Sequence, residues 1–329
     1  MYFRPSLPSP RAGALILLLA TAGTVMAVLV RERTGTEGFL VGLGLSMPPV
    51  PLLVLAFRWL DRSGRPGLWP SRLFAFSWGA CAAALISLLA NGYATRWIAS
   101  MVSDPESADH LGSLAVAPVV EEIAKGSALL LLFLFCRTQL SGILDGVVLA
   151  GLTATGFAFT ENILYLGNAF TEDLDQVPTG TAPAVLASLT AATFFVRIVV
   201  SPFAHPLFTV LTGIGFGCAA LWATAPLVRR TAAPLLGVAL AMGVHAVWNG
   251  SSVLGEYGFY AVYVLFILPA LALLSWLALW FRDGCAEQLE TGVPTAVAAV
   301  GTVTRLDVTR RLPSARPAPL PSAAVPPPR

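Results

Sequence analysis

Residues 114–135 form an apolar run long enough to cross a bilayer, yet they carry two adjacent carboxylates and a lysine: Glu121, Glu122 and Lys125. About 20 apolar residues match the hydrocarbon thickness, so such a run commits the chain to a membrane helix. Each ionisable group placed there costs at least about 2.5–3.5 kcal/mol on insertion scales, so three of them need a reason. Neighbouring helical positions point about 100° apart, so Glu121 and Glu122 cannot both face one spot. Lys125 lies four residues after Glu121 and three after Glu122, within reach of either. One carboxylate is thereby neutralised while the other is left for chemistry. The plainer reading is a buried structural ion cluster.

The rest of the chain extends the same pattern. Of its 329 residues 56% are hydrophobic and 12% charged, against about 25% charged in soluble domains. Apolar windows fall at about 12–30, 39–59, 71–91, 114–136, 143–169, 199–224, 233–250 and 259–281, predicting an all-α, polytopic transmembrane bundle of about eight spans. The first window follows Arg4 and Arg11 and reads as a retained span rather than a signal peptide. Residues 184–198 read as an additional interfacial or re-entrant helix, because Arg197, Pro202 and Pro206 interrupt the window. The formal net charge is +2 with no basic patch, which gives no sign of a nucleic-acid partner. Cys81, Cys136, Cys218 and Cys285 are scattered without a C-x-x-C pair, so neither a thiolate metal site nor a disulfide framework is expected.

Domain organisation follows composition: 1–283 is the membrane domain, and 284–329 is a disordered Pro/Ala-rich cytoplasmic tail with Arg305, Arg310, Arg311 and Arg316. Basic residues crowd one set of loops, with Arg58, Arg62, Arg65, Arg72, Arg229, Arg230 and Arg282. The loops at 92–113 and 170–183 hold acidic ones instead. Basic loops stay cytoplasmic, so both termini are expected inside and the acidic loops outside, with Arg31 and Arg33 as exceptions.

Polar residues recur in three further windows: Phe157-x-x-x-Glu161-Asn162, His205 after Ser201-Pro202, and His245-x-x-x-Asn249. On the expected orientation Glu121 lies about seven residues, or about 10 Å, from the outer end of its span, and Glu161, His205 and His245 lie at similar depths. Four spans of alternating direction thus place them in one layer, and a shared layer implies a shared cavity. Taken singly, His205 reads as a helix cap, Trp248 and Asn249 as interfacial anchors, and Arg197 as snorkelling to headgroups. Gly142, Gly146, Gly151, Gly156, Gly213, Gly215 and Gly217 read as devices for close helix packing.

Carboxylates and imidazoles meeting in a wet intramembrane cavity suit hydrolysis: a carboxylate takes a proton from water, and His or Asn donors stabilise the oxyanion. His, His and Glu also suit zinc, with a further Glu as base. No His-Glu-x-x-His helix is present.

The set Glu121-Glu122-x-x-Lys125, Phe157-x-x-x-Glu161-Asn162, His205 and His245-x-x-x-Asn249 resembles the PrsW family of intramembrane proteases, itself distantly similar to the type II CAAX prenyl endopeptidases and the bacterial CPBP proteins. The resemblance covers a core of about 71–281. It implies that Glu121 is the water-activating base and Glu122 its supporting acid. His245 and Asn249 would bind the oxyanion or a metal, and Glu161 and His205 complete the site, with Lys125, Phe157 and Asn162 in support. It implies a metal set of Glu161, His205 and His245 for Zn2+, or a metal-free glutamate mechanism. Glu161 stands where the CAAX enzymes have histidine, which argues against prenyl-protein processing. The implied substrate is a membrane-anchored protein such as an anti-sigma factor, cut near the outer face of a bacterial plasma membrane. A proton-coupled transporter or a non-catalytic membrane scaffold are the competing readings; a transporter would place its ionisable groups near the midplane, often within internal repeats, and none is apparent.

Overall fold

The computed structural model of the chain describes residues 10–61, 69–102, 104–176, 188–222 and 224–291. All regular structure among them is helical, as a chain buried in hydrocarbon requires when each backbone N–H must find a carbonyl within its own segment. In order these are α1 (Pro10–Ser46), α2 (Pro49–Leu60), α3 (Trp69–Ser77), α4 (Ala84–Ala99), α5 (Pro105–Leu111), α6 (Ala117–Phe135), α7 (Ile143–Gln176), α8 (Leu189–Phe194), α9 (Ala204–Leu221), α10 (Leu227–Ser251), α11 (Gly255–Val262) and α12 (Leu268–Thr291). Single π-helical turns join α3 to α4 (Trp78–Ala83), α5 to α6 (Gly112–Val116) and α11 to α12 (Tyr263–Ile267), and another follows α8 (Phe195–Val200).

Helix α7 is the central post. Its residues from Gly146 to Ala158 are all buried, and α1, α3 and α9 pack along it. Close approach comes from small residues. A Cβ on Gly146 would run into the backbone carbonyl of Gly213 on α9, so the two helices touch backbone to backbone at that level.

Helix α1 is broken at Gly35, whose φ of 69° is the left-handed conformation that glycine tolerates without strain. Before the break, Met26 and Val30 share an apolar cluster with Phe157 and Ile163 of α7. After it, Gly38 and Gly42 lie against Gly167 and Ile163, and Leu60 joins the cluster around Val147 and Val148. The chain therefore runs along α7 to Gly35 and returns beside it.

Six helical stretches among the described residues are long and apolar enough to cross a membrane: Pro10–Leu60, Trp69–Ala99, Ile143–Gln176, Leu189–Leu221, Leu227–Ser251 and Tyr257–Asp283. The windows at 12–30 and 39–59 fall within the first, on either side of Gly35. The window at 114–136 is α6, which its three charges set apart from the six. The separate helix expected at 184–198 lies partly outside the described residues. What is described of it, α8 and its π turn, runs into the stretch that ends at Leu221, because Arg197 turns inward to a carboxylate instead of ending the apolar window. A bend remains at Ser201–Phe203. There Ser201 Oγ donates to Val196 O at 2.6 Å, and Tyr263 Oη donates to Val200 O at 2.8 Å. Val196 O also accepts from the backbone N–H of Ser201 at 2.9 Å, and Pro202, which has no N–H, cannot continue the ladder.

The chain divides into two units, 1–283 and 284–329. In the second unit α12 continues to Thr291; the remainder of the expected tail, with its arginines and prolines, lies outside the described residues.

Candidate active site

The two glutamates of α6 part company as their spacing dictates. Glu122 is fully buried, with both oxygens engaged. Its Oε1 accepts from Lys125 Nζ at 2.6 Å and from His245 Nδ1 at 3.0 Å, and its Oε2 accepts from Thr209 Oγ1 at 2.9 Å. Glu121 instead lines a cavity. Its Oε1 accepts from Asn91 Nδ2 at 3.3 Å, while its Oε2 has no hydrogen-bond partner and lies 3.7 Å from Lys125 Nζ and 3.8 Å from His245 Nε2. Lys125, also fully buried, completes the knot by donating to His205 Nδ1 at 3.1 Å, with its ammonium 4.3 Å from the centre of the Phe157 ring. Burying these charges is tolerable because each has an opposite charge or a hydrogen-bond partner.

The hydrogen bonds also assign the histidine tautomers. A carboxylate only accepts, so His245 carries its proton on Nδ1, towards Glu122, and presents a lone pair on Nε2 towards Glu121. An ammonium only donates, so His205 carries its proton on Nε2, which donates to Glu161 Oε2 at 2.6 Å. Arg197 fixes Glu161 in turn. Its Nη1 donates to Glu161 Oε2 at 3.2 Å and to Asn162 Oδ1 at 2.8 Å, and its guanidinium lies 3.6 Å from the centre of the Tyr165 ring. Arg197 is thus an internal counter-ion, not the headgroup anchor expected from its place in an apolar window.

Glu121, Phe157, Glu161, Asn162, His205, His245 and Asn249 all line one cavity of about 610 Å³. Glu122 and Lys125 sit behind its wall. Phe157 packs against the His205 ring at 5.3 Å and Phe208 stacks on His245 at 4.8 Å, which locks both imidazoles. Asn249 does not reach the Glu–His cluster by hydrogen bond. Its Nδ2 donates to Ser113 O at 2.8 Å, tying α10 to the π turn ahead of α6. Sequence reasoning missed Asn91, Thr209 and the inward role of Arg197. A polar residue inside or at the end of an apolar window was the available signal for each.

The donor set suits a metal in part of its geometry. The ligand atoms of Glu121, His205 and His245 lie within 4.8 Å of one another. A buried carboxylate oxygen without a partner and an imidazole lone pair held by a second carboxylate are what a ligated ion uses, and the Glu122–His245 contact has the form of an outer-shell support. The third donor, His205, would exchange one of its two present hydrogen bonds on ligating. Glu161, expected among the ligands, is not in this cluster; its Oε2 is held by His205 and Arg197. The residues thus fit a metal through Glu121 in place of Glu161.

Residues 68–274 match the profile of a family described as PrsW family intramembrane metalloprotease. No curated protein and no solved structure matches the chain significantly.

Proposed function

The chain belongs to the PrsW family of intramembrane metalloproteases, and from that premise we propose that it hydrolyses a peptide bond of a membrane-anchored protein, such as an anti-sigma factor, near the outer face of a bacterial plasma membrane. The observation that carries this reading is Glu121: a buried carboxylate with one oxygen unpartnered, opening on a cavity shared with both buried histidines.

In this reading Glu121 takes a proton from the attacking water, the water oxygen adds to the scissile carbonyl, and the C–N bond breaks as the leaving nitrogen takes that proton back. Glu122 is a supporting group that sets the His245 tautomer, and Thr209 and Lys125 hold Glu122. Arg197 and Asn162 set Glu161, which sets His205. A zinc ion is the candidate cofactor. In that second mechanism Glu121, His205 and His245 would hold it, Glu121 then serving as a ligand in place of its role as base, with Glu161 as the further carboxylate, and when bound it supplies Lewis acidity and an ionised water at neutral pH. The lone pair that His245 turns towards Glu121 favours ligation over donation to an oxyanion.

Eight passes follow if Pro10–Leu60 counts as two, folded at Gly35, and α6 as one more. We assign the cavity, whose lining holds Arg33 and Arg197, to the outer side because other arginines, Arg72 and Arg282 among them, lie at the opposite end of the bundle. Arg72 pairs with Asp61, and Arg282 lies over Trp59, beside the start of α7. Glu161 stands 16 residues further along α7 than Asp145, about 24 Å away at 1.5 Å per residue. Both termini are then cytoplasmic.

The test is expression of wild type, Glu121→Gln and His245→Ala beside a panel of single-span membrane proteins. Cleavage by wild type alone supports the assignment; equal cleavage by all three removes it. Zinc content of the purified proteins separates the two mechanisms, with loss expected in Glu121→Gln and His245→Ala and retention in Glu161→Gln.

A further inference from the structure

Helix α4 turns one stripe to the cavity, with Ser87, Asn91 and Thr95 at four-residue spacing. Ser87 is 3% exposed and its Oγ has no hydrogen-bond partner. Asn91 spends its amide nitrogen on Glu121, while its buried Oδ1 has no partner. The orientation of that amide follows from its neighbour: a carboxylate cannot donate, so nitrogen faces Glu121 and the carbonyl oxygen is left for whatever enters the cavity. With Glu121 Oε2, three buried polar atoms along this wall lack partners. Burial of polar atoms in that state is unfavourable, which points to a ligand that brings complementary groups.

We propose that Ser87 and Asn91 are substrate-binding residues of the peptidase site. Asn91 Oδ1 accepts a main-chain N–H, and Ser87 Oγ–H donates to a main-chain carbonyl, of an unwound segment next to the scissile bond. This rests on the peptidase reading above. An intact helix keeps its N–H groups on its own carbonyls. A segment unwound below the membrane surface must find other partners for them, and these two side chains are unspent. Asn91 would therefore work in both directions, holding Glu121 through Nδ2 and the substrate backbone through Oδ1.

The experiment uses the full chain in phosphatidylcholine–phosphatidylglycerol vesicles and a fluorescent single-span reporter that wild type cuts. A reporter series replaces one main-chain amide near the cut by an ester, which deletes an N–H and leaves every side chain. One ester is expected to raise KM for wild type by roughly five- to tenfold, as loss of one hydrogen bond to a buried acceptor does. In Asn91→Ala the amide reporter should show a similar rise, and that ester should add nothing further. Ser87→Ala should act mainly on KM, with Ser87→Thr restoring it. A merely structural role for Asn91 would leave the ester penalty in place. Wild-type KM in both alanine variants, or an ester penalty undiminished in Asn91→Ala, overturns the inference while the peptidase reading stands. If wild type cuts no reporter, or Glu121→Gln cuts as well as wild type, the peptidase reading falls and takes this inference with it.

Discussion

Replacing Lys125 by methionine isolates the buried charge knot from its packing, because the side chains are similar in length and Lys125 has no solvent-exposed surface to lose. The ammonium meets Glu122 at 2.6 Å, His205 at 3.1 Å and Glu121 at 3.7 Å. Without it Glu122 keeps only His245 and Thr209, so an uncompensated carboxylate is left in the core. Removing one member of a buried pair costs about 3–5 kcal/mol. Lys125→Met should therefore lower the unfolding midpoint in mixed micelles by roughly 10 °C, taking a few degrees per kcal/mol for a chain of this size. The double variant Lys125→Met/Glu122→Gln removes both charges and should recover part of that loss, even though it carries one more substitution. A single variant within about 1 kcal/mol of wild type, or a double variant less stable than the single, would refute the reasoning that the Lys125–Glu122 pair neutralises the core.

Thr209→Val removes a donor to Glu122 Oε2 and should cost about 1–3 kcal/mol in the same thermal unfolding in mixed micelles. Arg197→Gln frees Glu161 and Asn162 on the cavity wall and should lower reporter cleavage at least about tenfold; because the pair is partly exposed, its effect on stability should be smaller than that of Lys125→Met. Gly146→Ala places a methyl group against the Gly213 carbonyl, so the α7–α9 pair must part, at a cost of about 1–3 kcal/mol readable in the thermal midpoint.

Depth was legible in the sequence, and azimuth was not. Counting residues from the ends of apolar windows placed Glu121, Glu161, His205 and His245 at one level, and they do line one cavity. The spacing of Glu121, Glu122 and Lys125 likewise predicted that one carboxylate is neutralised by the lysine, and Glu122 holds the shorter contact. Which residues of a helix turn towards the cavity depends on its rotation, and the π turns shift that rotation in ways a period of 3.6 does not register. The turn at Trp78–Ala83 precedes α4 and sets the phase that brings Ser87 and Asn91 to the wall. Another follows α8 and contains Arg197 itself, directing it to Glu161. The same limit explains Asn249. It shares a helix face with His245 and lines the cavity, but its amide is taken by Ser113 O, which belongs to the turn before α6. The metal ligands expected from the resemblance included Glu161, whereas contact geometry groups Glu121 with the histidines. Motif order alone carries no information on which of two carboxylates Arg197 engages.

The central claim is that Glu121 handles the hydrolytic water in a cavity built by several helices. Its most direct measurement is the turnover of a single-span reporter by purified wild type and Glu121→Gln in vesicles, at matched thermal stability and protein amount. Wild type should cut the reporter, and Glu121→Gln should be slower by about 100-fold or more. A Glu121→Gln rate within about twofold of wild type would contradict the account.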